Sequence, residues 1–497
     1  MDEKIKIKEQ WYDLAKYKDE VQKYVSRKRN ELDVYDKQYK NYEILYRSIF
    51  SGAEEADDKE RYPAMKETYN VYKAALIEAC TPGYSALMTV EGENPQSVLL
   101  APELQRTMLE QFKSMSLLEM LSDEIMDDWI MKGEAIVFLK YKETTEEYRI
   151  KQTVTDNDTG EEMIKFTLTE GVTYEDIELE RIDPLDFFVD AKDYVKDPKG
   201  CAKIVRSYIS SKELLTSDAY PLLTKEDKEG ILDKIMRKDS GYPYVYSNLS
   251  GTTSYGRTDK DQLEVLTFRG DYITNDYKIL TNIKAVVIEG KLAQIEYENV
   301  DTVRLIYAPY KIDRSTHRGV SPLASSIVIN KLANRVTDLF INNMDEVSNP
   351  IMMYKAGSMT QQAAREIRTK RQVELIGDFE TPDFYAPPAV SPEGINLLKV
   401  ILDQNKAMLG LNQYMSGDTS GSVRTAQESS ILFQKANARL RVETDSFSYK
   451  FLKPLILAFY GLNRELALAA DHPLKDIYAI PELKVAISTA AAKADKE

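Results

Sequence analysis

From about Trp11 to Phe50, apolar and aromatic residues recur at spacings of three, four and seven: Leu14, Val21, Val25, Leu32, Tyr35, Tyr39, Tyr42, Tyr46 and Ile49. The spacing predicts one long helix. Its many tyrosines fit a packed surface helix or an inter-subunit contact better than a leucine-zipper seam. SGAEEADDKERYP breaks the pattern, and further helices are expected at Pro63–Ala79, Ala101–Phe112 and Ser116–Met131. Gly133 ends the last of these and the period changes at once. EAIVFLKYK (Glu134–Lys142) is the β-branched and aromatic run of a strand. DNDTG (Asp156–Gly160) marks a hairpin turn, and KFTLTE, IELERI and FFVD read as short strands up to Asp190.

After Lys203, IVRSYI reads as a strand, SKELLTSD opens with a serine cap, and TKEDKEGILDKIMRK has a helical period. Ser240–Asp261 has no apolar periodicity and reads as an exposed excursion. QLEVLTFRGDYI, AVVIEGKLAQIEY and VRLIYAPY return to strand. Ser321–Val347 then has Pro322 at a first-turn position behind Ser321, with Leu323, Ile327, Leu332, Val336, Leu339 and Met344 forming a stripe. Such a helix runs roughly 40 Å, and Asn349-Pro350 stops it. Residues 351–388 make an interlude: a short strand (IMMY), a basic helical piece (TQQAAREIRTKRQ), a second strand (VELIG) and a proline-rich exit. A second long helix is expected from Pro392 to about Leu411. A third runs from Thr425 to about Ala470, kinked at Pro454. The tail ISTAAAKADKE is small and polar. The fold class is α+β, mainly helical.

Composition narrows the function more than the fold. The 497 residues are 43% hydrophobic and 30% charged, with a formal net charge of −15. A sequence-independent DNA clamp gains affinity by displacing phosphate counterions and carries a basic surface, so the chain as a whole is not one. Cys80 and Cys201 match no ligand or redox spacing and read as buried thiols of a reducing compartment. No stretch is long and apolar enough for a membrane span, and MDEKIKIKEQ lacks the core of a signal peptide. A soluble, intracellular product is expected. His317 and His472 are the only histidines, and neither has an acidic or cysteine cluster near it in sequence. No catalytic residue, metal site or cofactor is expected.

The stretch GDTSGSVRTAQESS (Gly417–Ser430) nearly spells the nucleophile loop of trypsin-like proteases. That chemistry needs a histidine partner and a strand-flanked context, neither of which the sequence offers. A P-loop would need Gly-Lys-Ser/Thr directly after a strand. What remains is a connection from Asn412 to Arg424, longer than most helix–helix turns. Thr425 and Glu428 resemble a capping box for the helix that follows.

The order of elements resembles the portal protein, or head-to-tail connector, of tailed double-stranded DNA bacteriophages. WIMKGEAIVFLKYK looks like that family's helix-glycine-strand step into the wing. IDPLDFFVD is similar to its proline-aspartate-aromatic strand end. APYKIDRSTHRGVSPLASSI resembles its turn into the first stem helix, SNPIMMY the exit from that helix, and GSVRTAQESSILFQKANARL the polar loop that starts a long helix. The resemblance implies a ring-forming fold with wing, stem, clip and a minimal crown. Residues 1–310 would be N-terminal arm and wing, 311–348 the first stem helix, 349–391 the clip and 392–411 the second stem helix. Residues 412–424 would be the tunnel loop, 425–470 the long wing helix and 471–497 the short crown.

It further implies a dodecameric homo-oligomer at one capsid vertex of the virion, assembled in the host cytoplasm, with no enzymatic activity. Its partners would be the major capsid protein and scaffold, the terminase large subunit, head–tail adaptor and tail proteins, and non-specific double-stranded DNA, with no membrane. The DNA-facing tunnel-loop residues would be Asn412, Gln413, Ser416, Asp418, Thr419, Ser420, Ser422 and Arg424. Arg365, Arg368, Lys370 and Arg371 would form the clip surface that meets terminase or adaptor; as a bare pattern they also suit a solvated helix face. Two alternatives stay open: a monomeric helical scaffold, and a serine hydrolase built on 417–422.

Overall fold

The computed structural model describes residues 13–50, 64–80, 83–92, 95–155, 162–217, 219–237, 262–298, 303–348, 351–353, 383–385, 392–409, 411, 440–469 and 483–486. The chain divides into two compact units. Met1–Tyr42, Lys73–Pro322 and Leu440–Glu497 make the first, and Glu43–Tyr72 with Leu323–Arg439 the second.

The strands, in chain order, are β1 (Thr89–Gly92), β2 (Glu134–Thr155), β3 (Glu162–Arg181), β4 (Phe187–Val189), β5 (Lys203–Ser210), β6 (Gln262–Ile273), β7 (Ile279–Ile288), β8 (Lys291–Tyr297), β9 (Leu305–Pro309), β10 (Ile351–Met353), β11 (Asp383–Tyr385) and β12 (Leu483–Ala486). The longer helices are α1 (Lys18–Leu32), α2 (Tyr35–Phe50), α3 (Ala64–Cys80), α4 (Pro95–Ser114), α5 (Ser326–Ser348), α6 (Pro392–Met408) and α7 (Lys453–Ala469).

The first unit is built on a five-stranded antiparallel sheet in the order β4-β5-β6-β7-β8. Side chains alternate between faces along a strand, and β6 spends both sets on burial. Leu266 and Phe268 pack with Tyr17, Val21 and Val25 of the N-terminal helical segment. Leu263 and Val265 pack with Leu214 and Ile231 on the opposite face. Val21 and Val25 are fully buried, each contributing about 1.5–3 kcal/mol. A three-stranded sheet, β3-β2-β9, adjoins through a cluster including Ile136, Phe187, Tyr194 and Tyr307. In the second unit, α5 and α6 pack around Ala333, Val336 and Ile401, and β10 pairs antiparallel with β11.

Several expectations change. The predicted single helix over 11–50 is two, because Asp33 turns extended and its carboxylate accepts from the Tyr35 N–H at 3.0 Å. KFTLTE and IELERI are one strand, β3, held in a long hairpin with β2 from Val137↔Arg181 to Thr155↔Glu162. The serine cap of the 211–216 helix is Ser210, not Ser211. Pro454 follows a π turn at Ser448–Leu452, and that wider turn absorbs the missing N–H. The proline-rich exit of the interlude contains β11, the partner of the first short strand. β12, which pairs with β1, carried no alternation strong enough to predict it.

Candidate functional site

All twelve residues singled out from the sequence lie outside the described residues: Asn412, Gln413, Ser416, Asp418, Thr419, Ser420, Ser422 and Arg424 in the loop, and Arg365, Arg368, Lys370 and Arg371 in the interlude. So do the 240–261 excursion and the VELIG strand. The structure describes the elements that bracket them. α5 leads to β10, β11 closes the interlude, and α6 leads to the loop.

α5 starts five residues later than expected. Ser321 does not cap it; its Oγ donates to the Ile130 carbonyl at 2.6 Å. The Ser326 N–H instead meets the Leu323 carbonyl in a turn. At 23 residues the helix is roughly 35 Å long. Ile329, Ala333, Val336 and Phe340 face α6, where Leu398, Ile401 and Leu402 meet them. A second apolar row lies roughly a quarter-turn around α5: Val328, Leu332 and Leu339. These are 69%, 50% and 61% exposed. α6 repeats the arrangement, with Leu397, Val400 and Met408 exposed beside its packed row. Among the described residues, each helix therefore has one face packed and one apolar flank exposed, and exposed apolar patches of this kind mark interaction surfaces.

A second site sits in the first unit, where the chain turns toward the helical hairpin. Arg318 and Glu134 are fully buried and form a fork-to-carboxylate pair, with Arg318 Nε at 2.9 Å from Glu134 Oε1. Glu134 also accepts from Tyr307 Oη at 2.8 Å and from the Gly319 N–H, while Arg318 Nη2 donates to the Pro184 carbonyl at 2.9 Å. Burial and the adjacent Glu134 carboxylate push the Tyr307 hydroxyl well above its ordinary pKa. Burial works against the charge of Arg318, but Glu134 outweighs it and raises that pKa too. The backbones cross so closely here that a Cβ on Gly319 would strike the Gly133 carbonyl oxygen at 2.2 Å. Gly133 itself sits at φ +77°, a conformation that favours glycine. The helix-glycine-strand and arginine-glycine segments noted in the sequence are thus two halves of one joint.

His317 has an acidic neighbour that sequence distance concealed. Its Nδ1 lies 2.6 Å from Asp190 Oδ2, and its Nε2 lies 2.8 Å from Lys192 Nζ. An ammonium only donates, so Nε2 accepts and Nδ1 carries the proton toward Asp190. The imidazole thus clasps Asp190 and Lys192 together. Burial would raise the Asp190 pKa, but hydrogen bonds from His317 and from the Lys192 and Asp193 N–H groups lower it. Among the described residues, no group of three or more His, Cys, Asp and Glu is placed to hold a metal, and no helix is long and apolar enough to cross a membrane.

No family model matches the chain, and no curated protein matches it. Among solved structures it is similar to a chain of the "Virion of native gene transfer agent (GTA) particle". The similarity is 10% identity over 91% of this chain and 85% of that one, with a TM-score of 0.31. A superposition at that score does not establish a shared fold, so function must be read from the chain's own residues.

Proposed function

We propose that the chain is a portal protein of a phage-like particle, a structural subunit whose ring forms the channel for double-stranded DNA packaging and ejection. The observation that carries the reading is the unpartnered apolar flank on both helices of the α5–α6 hairpin. One copy's Val328, Leu332 and Leu339 can pack against the next copy's Leu397, Val400 and Met408. That contact is head-to-tail, and repeated around an axis it closes a ring lined by long helices. The segment order supports it: strand layer, long helix, short interlude, long helix, loop, long helix. The net charge of −15 supports it too, because a bore that passes any sequence must avoid a strong grip on phosphate.

In this reading the interlude docks terminase and later tail proteins, and residues 412–424 face the DNA. Native mass spectrometry with electron microscopy down the particle axis tests the assembly. Rings of about a dozen subunits, the head-to-tail closure argued above, are the expected result. A monomer that persists with capsid partners present would leave the scaffold reading in its place. Shortening Gly417–Ser422 is expected to leave rings intact and impair packaging or retention; unchanged packaging removes the loop from the channel.

A further inference from the structure

The five-stranded sheet holds more buried positive charge than its described carboxylates answer. Register sets Lys203 of β5 opposite Arg269 of β6, and Arg269 opposite Lys284 of β7. Like charges directly opposite on neighbouring strands are destabilising. Lys284 is answered by Glu296 at 2.7 Å. The other two are answered less well. Lys203 is 4% exposed, and its ammonium donates to backbone carbonyls, those of Pro198 and Lys199, rather than to a carboxylate. Arg269 meets Glu298 at 3.3 Å, long for a charge-assisted bond, and lies over the Phe138 ring at 4.3 Å.

Arg304, just before β9, adds a third cation. Its guanidinium lies over the Tyr141 ring at 4.7 Å, and its buried Nε has no hydrogen-bond partner among the described residues. Two nearby acids are partly engaged by backbone N–H groups. Asp197 accepts from the N–H groups of Lys199 and Gly200, and Asp271 from that of Asn282. Burial draws both Lys203 and Arg269 below their ordinary pKa values; Glu298 pulls each back up, as does Asp197 for Lys203, while Arg269 repels Lys203 and Arg304 repels Arg269.

Lys203, Arg269 and Arg304 line one cavity with Lys199, Asn282 and Glu298, of about 20 Å³. That is room for roughly one water-sized atom. Among the described lining residues, the heads of Lys203, Arg269 and Arg304 face the one carboxylate of Glu298, and an uncompensated buried charge is strongly destabilising. We infer that this cavity is a small-anion site, holding a chloride ion or one anionic oxygen of inorganic phosphate between Lys203, Arg269 and Arg304. The site lies within the first unit, between β5 and β6 of one sheet and the start of β9 in the other, and stands whether or not the chain forms rings.

Thermal unfolding of the full chain tests this, with sodium methanesulfonate replaced stepwise by chloride or phosphate at constant ionic strength. A ligand that binds only the folded state stabilises it, and a saturable rise of about 2–4 °C is expected. The anion that saturates at lower concentration is the natural occupant. Arg304→Gln should abolish the response and raise the anion-free Tm by relieving repulsion, while Lys225→Gln, a cation elsewhere, should respond as wild type. Chloride-35 line broadening, present with wild type and lost in Arg304→Gln, reads the site without melting it. The proposal is overturned if neither anion gives a saturable shift, or if Arg304→Gln responds like wild type. It is also overturned if only Asp301→Asn responds, since the chain's own carboxylate would then be the occupant.

Discussion

At the scale of single residues, the Glu134–Arg318 pair makes the clearest claim. Removing one partner of a buried pair leaves the other charge unanswered, so Glu134→Gln should cost about 3–5 kcal/mol in denaturant unfolding. Replacing both by apolar residues of similar size should recover much of that loss. The His317 clasp makes a pH-dependent claim. Asp190 has its pKa lowered in the folded state, so its stabilisation is complete above the unfolded carboxylate value and is lost as pH falls through the folded one. Asn keeps the helix-capping role, so the stability gap between wild type and Asp190→Asn should be widest near neutrality and close in acid. Cys80 and Cys201 are buried free thiols, and burial pushes Cys80 up to about 12 and Cys201 up to about 11. A thiol reagent at pH 7.5 should modify neither until the chain is unfolded, since the thiolate is the reactive form.

At the scale of elements, periodicity located the long helices and most strands because each carries its own burial pattern. α6 and the strands β4 to β6 follow directly from local sequence. What local sequence did not contain was pairing. The break at Asp33 depends on one side-chain cap, the start of α5 on Ser321 reaching Ile130, and β11 and β12 on distant partners. The Arg318–Glu134 joint was half visible, as two glycine-bearing segments whose contact across 184 residues no spacing could announce. The His317–Asp190 clasp was hidden in the same way. The open flank of α5 was legible as a stripe, but only packing showed which of its residues α6 leaves uncovered. It yields a direct test. Leu339→Glu should leave the circular dichroism and monomer melting within about 0.5 kcal/mol of wild type, as exposed substitutions do. Rings should be lost in native mass spectrometry.

At the scale of the whole molecule, the proposed role asks for rigid packing within each unit and weak, non-specific contact with DNA. The second unit supplies helices with one packed and one open side. The first supplies two adjoining sheets whose inner faces are filled. A ring variant in which Arg365, Arg368, Lys370 and Arg371 are all changed to Gln should assemble normally yet lose terminase docking. Pull-down of terminase by assembled rings measures this directly.

The first unit is drawn from three separated stretches of chain, with residues 440–497 joining only after the whole second unit has been spelled out. On the ribosome, domains tend to fold as their sequence emerges. Here the earlier-begun unit cannot close first. Phe447 reaches Trp129, and β12 reaches β1, only when synthesis is almost finished. Until then the side of Trp129 that Phe447 covers stands bare, so the nascent chain should engage holdase chaperones most strongly between the emergence of β9 and of residue 440. Ribosome profiling of chaperone-bound chains would locate that window, and its closing would mark when the subunit becomes safe to assemble.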